Sequence, residues 1–217
     1  MPTLPAMLTV ELLTEDRLDA ALDAIVPGFA QEQNFVRIFS DEQTREGLLR
    51  VVMRPMARLS IRYGGSFIAV DRGEIIGGII GYPPVAYPYS ARRILGMLPM
   101  YARVLVTSPR AALRFFTADL SHHPRGESFW YLYATAVRPG HRSLRVLQQL
   151  FTTLIERIDA DNAATFGETA LPAVVFGATK YFGFSVRAEE VRLIKGGPAN
   201  WTIWRPAQSS ARLPTVE

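Results

Sequence analysis

The fold of this chain is decided by one stretch of its sequence, Phe129-Trp130-Tyr131-Leu132-Tyr133-Ala134-Thr135-Ala136-Val137, which Arg138-Pro139-Gly140 follows. Such a nearly continuous aromatic and apolar run is typical of a strand in the middle of a sheet. Proline cannot donate a hydrogen bond to a strand ladder, so the strand ends there. Apolar residues then recur at helical spacing from Leu144 to Ile158. The stretch therefore predicts a central strand, a short turn and a long amphipathic helix.

The sequence on either side predicts further strands and helices. Two β-rich runs, residues 66–70 and 75–81, flank Asp71-Arg72-Gly73-Glu74, which predicts a hairpin. A helix is expected after Thr14 and is expected to end at Pro27-Gly28. The remaining predicted elements are a strand at residues 7–13, a helix at 41–59 kinked or interrupted at Pro55, a strand at 164–169, a helix at 174–182, a strand that begins at 184, and a closing hairpin of 191–194 with 201–204.

The composition predicts one globular domain. The 217 residues are 48% hydrophobic and 20% charged, which excludes a disordered chain. We expect a single domain over residues 1–206, with a helical insertion at 82–120 and a flexible tail at 207–217. The absence of cysteine excludes disulfides and thiolate metal sites and favours a cytoplasmic protein. No apolar run approaches the about 20 residues of a transmembrane segment.

The positive charge comes almost entirely from arginine and is concentrated in the insertion. The net charge is +4, with two lysines in the whole chain, and this balance does not predict a nucleic-acid partner. No acidic residue occurs between Glu74 and Asp119. The same segment carries Arg92, Arg93, Arg103, Arg110 and Arg114, and its apolar side is predicted to contain Ile94, Leu95, Leu98, Tyr101 and Leu105. Three interpretations stay open: the insertion covers an acceptor pocket and attracts an anionic substrate or carrier, lies on a membrane surface, or is a solvated helix with extended arginines.

These pieces, in this order, resemble the GNAT superfamily of acyl-CoA-dependent N-acyltransferases. Val137-Arg138-Pro139 is similar to the family's Val-x-Pro exit from its fourth strand, and Glu168-Thr169-Ala170 to the end of its fifth strand. Tyr181-Phe182-Gly183-Phe184 is similar to its closing Lys-Leu-Gly-Phe. The resemblance implies an α/β fold with a mixed sheet of about six or seven strands flanked by helices, and a helical insertion between the third and fourth strands.

The resemblance also implies a coenzyme A site after the fourth strand. The family places Gln/Arg-x-x-Gly-x-Gly/Ala there, so that amides at a helix start reach the pyrophosphate. Here the run is Arg142-Ser143-Leu144-Arg145-Val146-Leu147, in which Arg145 and Leu147 stand where small residues belong. Arg145 either contributes charge to the phosphates or crowds them. Ala136 and Val137, at the strand end, are expected to bind the pantetheine arm as an added strand does.

Acyl transfer to an amine needs a base, a donor to the thioester oxygen and close positioning. At the cleft that the resemblance implies between the fourth and fifth strands, we expect Glu168 to act as base or to contact the amine, and Tyr133 and His123 to line the acceptor site. The tyrosine that many family members use as general acid is replaced by Thr179. The adjacent His122 and His123 are expected to point apart, and no metal site is expected.

Strict alternation along the central strand predicts which side chains share a face. Tyr131, Tyr133 and Thr135 are expected on one face, and Trp130, Leu132 and Ala134 on the other. One set is core, and the other faces the cleft.

Two functions are consistent with the sequence. The first is transfer of an acetyl or other acyl group from acetyl-CoA or another acyl-CoA to a small-molecule amine. The second is a GNAT-like protein that has lost acetyl-CoA binding and uses the cleft for another ligand, partner or reaction. The oligomeric state is left open between a monomer and a homodimer.

Overall fold

The structure is a computed structural model that describes residues 8–141 and 144–208. Its strands are β1 (Thr9–Leu12), β2 (Ser66–Asp71), β3 (Glu74–Tyr82), β4 (Phe129–Val137), β5 (Ala164–Thr169), β6 (Ser185–Val191) and β7 (Asn200–Arg205). Its α-helices are α1 (Leu18–Phe29), α2 (Gln33–Ile38), α3 (Glu42–Ile61), α4 (Ala91–Gly96), α5 (Leu98–Thr107), α6 (Pro109–Phe116), α7 (Leu144–Ala160) and α8 (Pro172–Tyr181). Most of the predicted tail lies outside the described residues.

The seven strands form one mixed sheet in the order β1-β2-β3-β4-β5-β7-β6. Every neighbouring pair is antiparallel except β4 and β5, which are parallel. Helices α1, α3 and the insertion cover one face of the sheet, and α7 covers the other. The predicted α/β class and strand number are therefore confirmed, and the predicted hairpin is β2–β3, whose turn has Arg72 and Gly73 at positive φ. No helix in the described part of the chain combines the length and apolarity needed to cross a bilayer.

Two prolines do not interrupt their helices as predicted. Helix α1 continues through Pro27 to Phe29, and α3 is one helix across Pro55. The first prediction was wrong because burial of the apolar face of α1 outweighs the hydrogen bond that proline removes. Gly28 does not end the helix. It allows α1 to approach β4, since a Cβ at this position would lie 3.1 Å from the Cβ of Ala136.

The insertion forms three short helices, α4 to α6, and its predicted apolar side was wrong except at Tyr101, which packs partly buried against the core. The buried side chains between residues 91 and 116 are Met97, Met100, Val104, Ala111 and Ala112, whereas Ile94, Leu95, Leu98 and Leu105 are exposed. Helix α4 ends at Gly96 and α5 begins at Leu98 with Pro99 in its first turn, so the apolar positions change phase. Arg93 donates to the Tyr63 hydroxyl at 2.6 Å, and Arg114 to the Arg37 carbonyl at 2.7 Å. Two of the arginines therefore attach the insertion to the body of the domain.

The last hairpin differs from the prediction in its first strand. β7 pairs with Ser185–Val191, while residues 192–199 form a loop. β6 is an exposed edge strand with charged side chains, so its sequence lacks the apolar alternation by which strands are recognised. β7 inserts between β5 and β6, and its Arg205 side chain pairs with Asp159 on α7 at 2.5 and 2.8 Å. This pair ties the sheet to the helix that follows β4.

Candidate functional site

The central strand separates from its parallel neighbour halfway along its length. β4 pairs with β5 only from Phe129 opposite Ala164 to Leu132 opposite Gly167, although β4 continues to Val137. Residues 133–137 therefore have an edge that β5 does not pair. β5 ends at Thr169 while β4 continues to Val137, and the space between the two strand ends is called the cleft below.

A β-bulge in β4 lies where the cleft begins. Leu132 is opposite Gly81 and Ala134 is opposite Ile80, so Tyr133 is an extra residue in the ladder. The predicted alternation fails here: Ala134 lies with Tyr131 in the core under α1 and α3, on the opposite side from Leu132. Strict period-2 reasoning cannot anticipate an inserted residue, which shifts every later side chain to the other face.

Glu168, at the end of β5, is the centre of a buried polar cluster beside this cleft. Its side chain is 12% exposed. Its Oε2 lies 2.5 Å from Nε2 of His122 and 3.3 Å from Nε2 of His123, and its Oε1 accepts a hydrogen bond of 2.9 Å from the Tyr131 hydroxyl. Burial alone would raise the pKa of Glu168, but the interactions with His122 and His123 lower it to about 2. The carboxyl group is therefore an anion at neutral pH.

Both histidines turn toward Glu168, contrary to the expectation that they point apart. They are part of a turn closed by a hydrogen bond from the His123 amide to the Leu120 carbonyl, and their ring centroids are 4.7 Å apart. Opposite orientations hold for extended backbone, and this segment is not extended. Nδ1 of His123 is hydrogen-bonded to the Tyr87 hydroxyl. Nδ1 of His122 and Nε2 of His123 are buried and have no hydrogen-bond partner among the described residues.

Tyrosines form the wall of the cluster. The ring centroid of Tyr131 lies 4.6 Å from that of Tyr87 and 6.1 Å from that of Tyr133. The ring centroids of Tyr82 and Tyr133 are 5.4 Å apart. Burial raises the pKa of all four hydroxyl groups, and for Tyr87, Tyr131 and Tyr133 the negative charge of Glu168 raises it further. The hydroxyls are therefore neutral: Tyr131 donates to Glu168, Tyr87 is hydrogen-bonded to His123, and Tyr82 donates to the Met56 carbonyl outside the cluster.

Solved structures share this arrangement of strands and helices. An acetyltransferase from Corynebacterium glutamicum related to histone acetyltransferase HPA2 is 21% identical and superposes with a TM-score of 0.65, covering 96% of this chain and 99% of that one. A polyamine N-acetyltransferase from Drosophila melanogaster is 13% identical and superposes with a TM-score of 0.55, covering 91% of this chain and 99% of that one. A chain of the NatC complex bound to Gag peptide and CoA is 12% identical and superposes with a TM-score of 0.56, covering 93% of this chain and 99% of that one. The chain has the GNAT fold. Neither a protein-family model nor the sequence of a characterised protein matches it, so the likeness lies in three dimensions.

In the GNAT fold of this chain, the expected coenzyme A residues lie along one path. Ala136 and Val137 are on the part of β4 that β5 leaves unpaired, and α7 begins at Leu144, five residues after Pro139 of the Val137-Arg138-Pro139 exit. Arg142 and Ser143 lie outside the described residues. The open strand edge and the helix start, whose amides lack carbonyl partners within the helix, fit a pantetheine arm and a pyrophosphate.

The two residues that replace small ones in the turn differ in position. Leu147 is half-buried and packs, with the buried Val146, in the core under α7. Arg145 is exposed and lines a groove of about 340 Å³ between α7 and β1, together with Gln148 and Thr152. These three residues follow one helix face, so the Arg145 side chain has room beside the turn.

Other sequence candidates are occupied elsewhere in this GNAT-fold chain. The Thr179 hydroxyl donates to the carbonyls of Val175 and Phe176 within α8, at 3.0 and 3.2 Å. Glu127 pairs with Arg187 on the surface. The site residues that sequence reasoning placed least well are His122, Tyr87 and Tyr131, because a turn and two strands bring them together from distant positions.

Proposed function

We propose that the protein transfers an acyl group from acetyl-CoA or another acyl-CoA to a small-molecule amine. The observation that carries this proposal is the buried Glu168 anion with two histidines, located where β4 and β5 separate. Solved acetyltransferases with the same fold, one of them bound to CoA, support the co-substrate.

Glu168 serves to hold the amine and to orient a base. An ammonium group at the cleft is attracted by the carboxylate in surroundings where water is largely excluded, which strengthens the attraction. The Tyr131 hydroxyl and His122 fix the carboxylate in place. The sequence-based expectation for Glu168 is thereby refined: it contacts the amine and positions a neighbour, because a carboxylate with a pKa of about 2 is a weak base.

His122 is the group that takes the proton. Its Nε2 is hydrogen-bonded to Glu168, which leaves Nδ1 as the nitrogen that accepts. The amine nitrogen gives one proton to Nδ1 of His122 and attacks the thioester carbon. A carbon–nitrogen bond forms, and the carbon–sulfur bond breaks. The second proton of the amine nitrogen goes to the leaving sulfur. A thiolate is a good leaving group because thiols are far more acidic than alcohols, so the vacant role of Thr179 needs no replacement.

The unpaired edge of β4 holds the acyl-CoA. Main-chain groups of residues 133–137 bind the pantetheine arm, with Ala136 and Val137 at its centre, and amides of the α7 start bind the pyrophosphate. The bulged Tyr133 stands between this edge and the Glu168 cluster, where it limits the size of the acceptor.

The alternative, a GNAT fold without acyl transfer, is favoured by one observation, the absence of small residues at positions 145 and 147. Release of free thiol from acetyl-CoA, measured with a panel of primary amines, distinguishes the two. We expect turnover with at least one amine, and a loss of about a hundredfold or more in kcat for His122→Gln. Glu168→Gln is also expected to lose activity, because an amide does not hold the ammonium group by charge, and Glu127→Gln, which removes a surface carboxylate, is its matched control. Turnover by His122→Gln equal to the parent's would refute the assigned base.

A further inference from the structure

The cluster around Glu168 has the donor set of a metal site. One nitrogen each from His122 and His123 and one carboxylate oxygen of Glu168 lie within 4.8 Å of one another. The side chains of His122, His123 and Glu168 are 10%, 7% and 12% exposed, so they have little contact with solvent water. We propose that these three residues bind one divalent transition-metal ion of the zinc class.

His123 provides the decisive observation. Its Nδ1 is engaged by the Tyr87 hydroxyl, so its open position is Nε2. This nitrogen is buried, has no hydrogen-bond partner among the described residues and lies 3.3 Å from Oε2 of Glu168. In the tautomer whose Nδ1–H donates to the Tyr87 oxygen, Nε2 presents a lone pair to the carboxylate, and a cation between the two would be bound by both.

The distances are close to those of a coordinated ion. Zinc–nitrogen bonds of about 2.0–2.1 Å and zinc–oxygen bonds of about 2.0–2.2 Å place two tetrahedral ligands about 3.3 Å apart. Nε2 of His123 and Oε2 of Glu168 already have this separation. Nε2 of His122, at 2.5 Å from the same oxygen, is at hydrogen-bond distance. Its ring has to retreat by less than about 1 Å when an ion replaces the shared proton.

Each of two ligands is held by a second partner, as metal ligands usually are. Tyr87 fixes the ring of His123, and Tyr131 fixes the free oxygen of Glu168. Two imidazoles and one carboxylate suit zinc or cobalt better than magnesium or calcium, which prefer oxygen ligands. Three protein ligands leave one position open. If the proposed function holds, an ion here occupies the carboxylate that the amine needs, so zinc inhibits transfer.

Metal binding is tested on the protein alone, without coenzyme A or an amine, so its outcome is independent of acyl transfer. Untagged protein is freed of metal with a chelator and titrated with Zn²⁺ in a calorimeter, and with Co²⁺ followed by visible absorption. We expect one ion per chain. His122→Gln and His123→Gln are each expected to weaken binding at least about tenfold. His141→Gln removes the one other histidine of the sequence, which is exposed, and should bind as the parent does.

Two results would overturn the site. One is a parent protein that takes up no zinc at about 100 μM, a level that even weak binding would reveal. The other is a His123→Gln protein that binds as tightly as the parent. Circular dichroism of the metal-free variants shows whether they are folded. Should His123→Gln fail to fold, Tyr87→Phe keeps all three ligands, removes only the partner of His123 and is expected to weaken binding about tenfold or more.

Discussion

Replacing Glu168 by glutamine should remove a specific part of the pH dependence of stability. The carboxyl has a pKa of about 2 in the folded protein against an ordinary value of 4.5. Because the folded-state pKa is the lower one, the anion stabilises the fold above pH 4.5, and this stabilisation is lost as the pH falls toward 2. The difference corresponds to about 3 kcal/mol at neutral pH, of which about 2 kcal/mol is lost by about pH 3.

Urea unfolding of the parent and of Glu168→Gln, with chelator present, measures this difference. Glutamine keeps the size of the side chain, but its one amide oxygen accepts from either His122 or Tyr131, because these two groups contact different oxygens of Glu168. Circular dichroism at pH 6 shows whether the variant is folded. The free energy of unfolding of the parent is expected to fall by about 2 kcal/mol more than that of the variant between pH 6 and about pH 3. A gap between the two proteins that stays constant over this range would show that the histidines do not stabilise the anion.

Three further predictions concern the packing at Gly65, the cofactor turn at Arg145 and the acceptor site at Tyr133. Gly65→Ala places a Cβ against the Gly81 carbonyl oxygen and should cost about 2 kcal/mol or more in thermal unfolding, whereas Gly47→Ala, in open space on α3, should stabilise by up to about 1 kcal/mol. A Gly65→Ala protein that melts at the same temperature as the parent would contradict the close approach of Gly65 to the Gly81 carbonyl oxygen. Arg145→Gly and Arg145→Ala should weaken coenzyme A binding about fivefold or more in a calorimeter if the guanidinium pairs with phosphate. Tighter binding by both would show that Arg145 only crowds the turn. Tyr133→Ala should let bulkier amines react in the thiol-release assay. An unchanged amine preference would show that Tyr133 does not line the acceptor site.

The sequence was sufficient for the centre of the fold because the signals there are local. The run from residue 129 to 137, the Val137-Arg138-Pro139 exit and the helical spacing after Leu144 each follow from neighbouring residues, and the structure has the elements they predict. A strand beginning at residue 184 was predicted and is the edge strand β6, but the partner of β7 in the closing hairpin was wrongly predicted at residues 191–194, because β6 is polar and exposed. Its position is fixed by pairing with β7, which no local pattern records.

The candidate site was predicted only in part, for a related reason. Glu168 could be assigned from its place at the end of a strand beside a cleft that the resemblance implied. The pairing of His122 with Glu168 depends on a turn 46 residues earlier, and the position of Tyr133 depends on a bulge that alternation cannot show. Two adjacent histidines after an arginine-rich helical segment were the available signal, but their direction is a property of the tertiary structure.

Direct titration tests whether this chain binds and uses acyl-CoA. Acetyl-CoA and free coenzyme A are titrated into the parent protein in a calorimeter, and an amine that supports thiol release is then added. We expect one molecule of acetyl-CoA to bind per chain, and mass spectrometry to find the acyl group on the amine nitrogen. Absence of any heat of binding at about millimolar acetyl-CoA, equivalent to an affinity weaker than about −4 kcal/mol, would contradict this expectation.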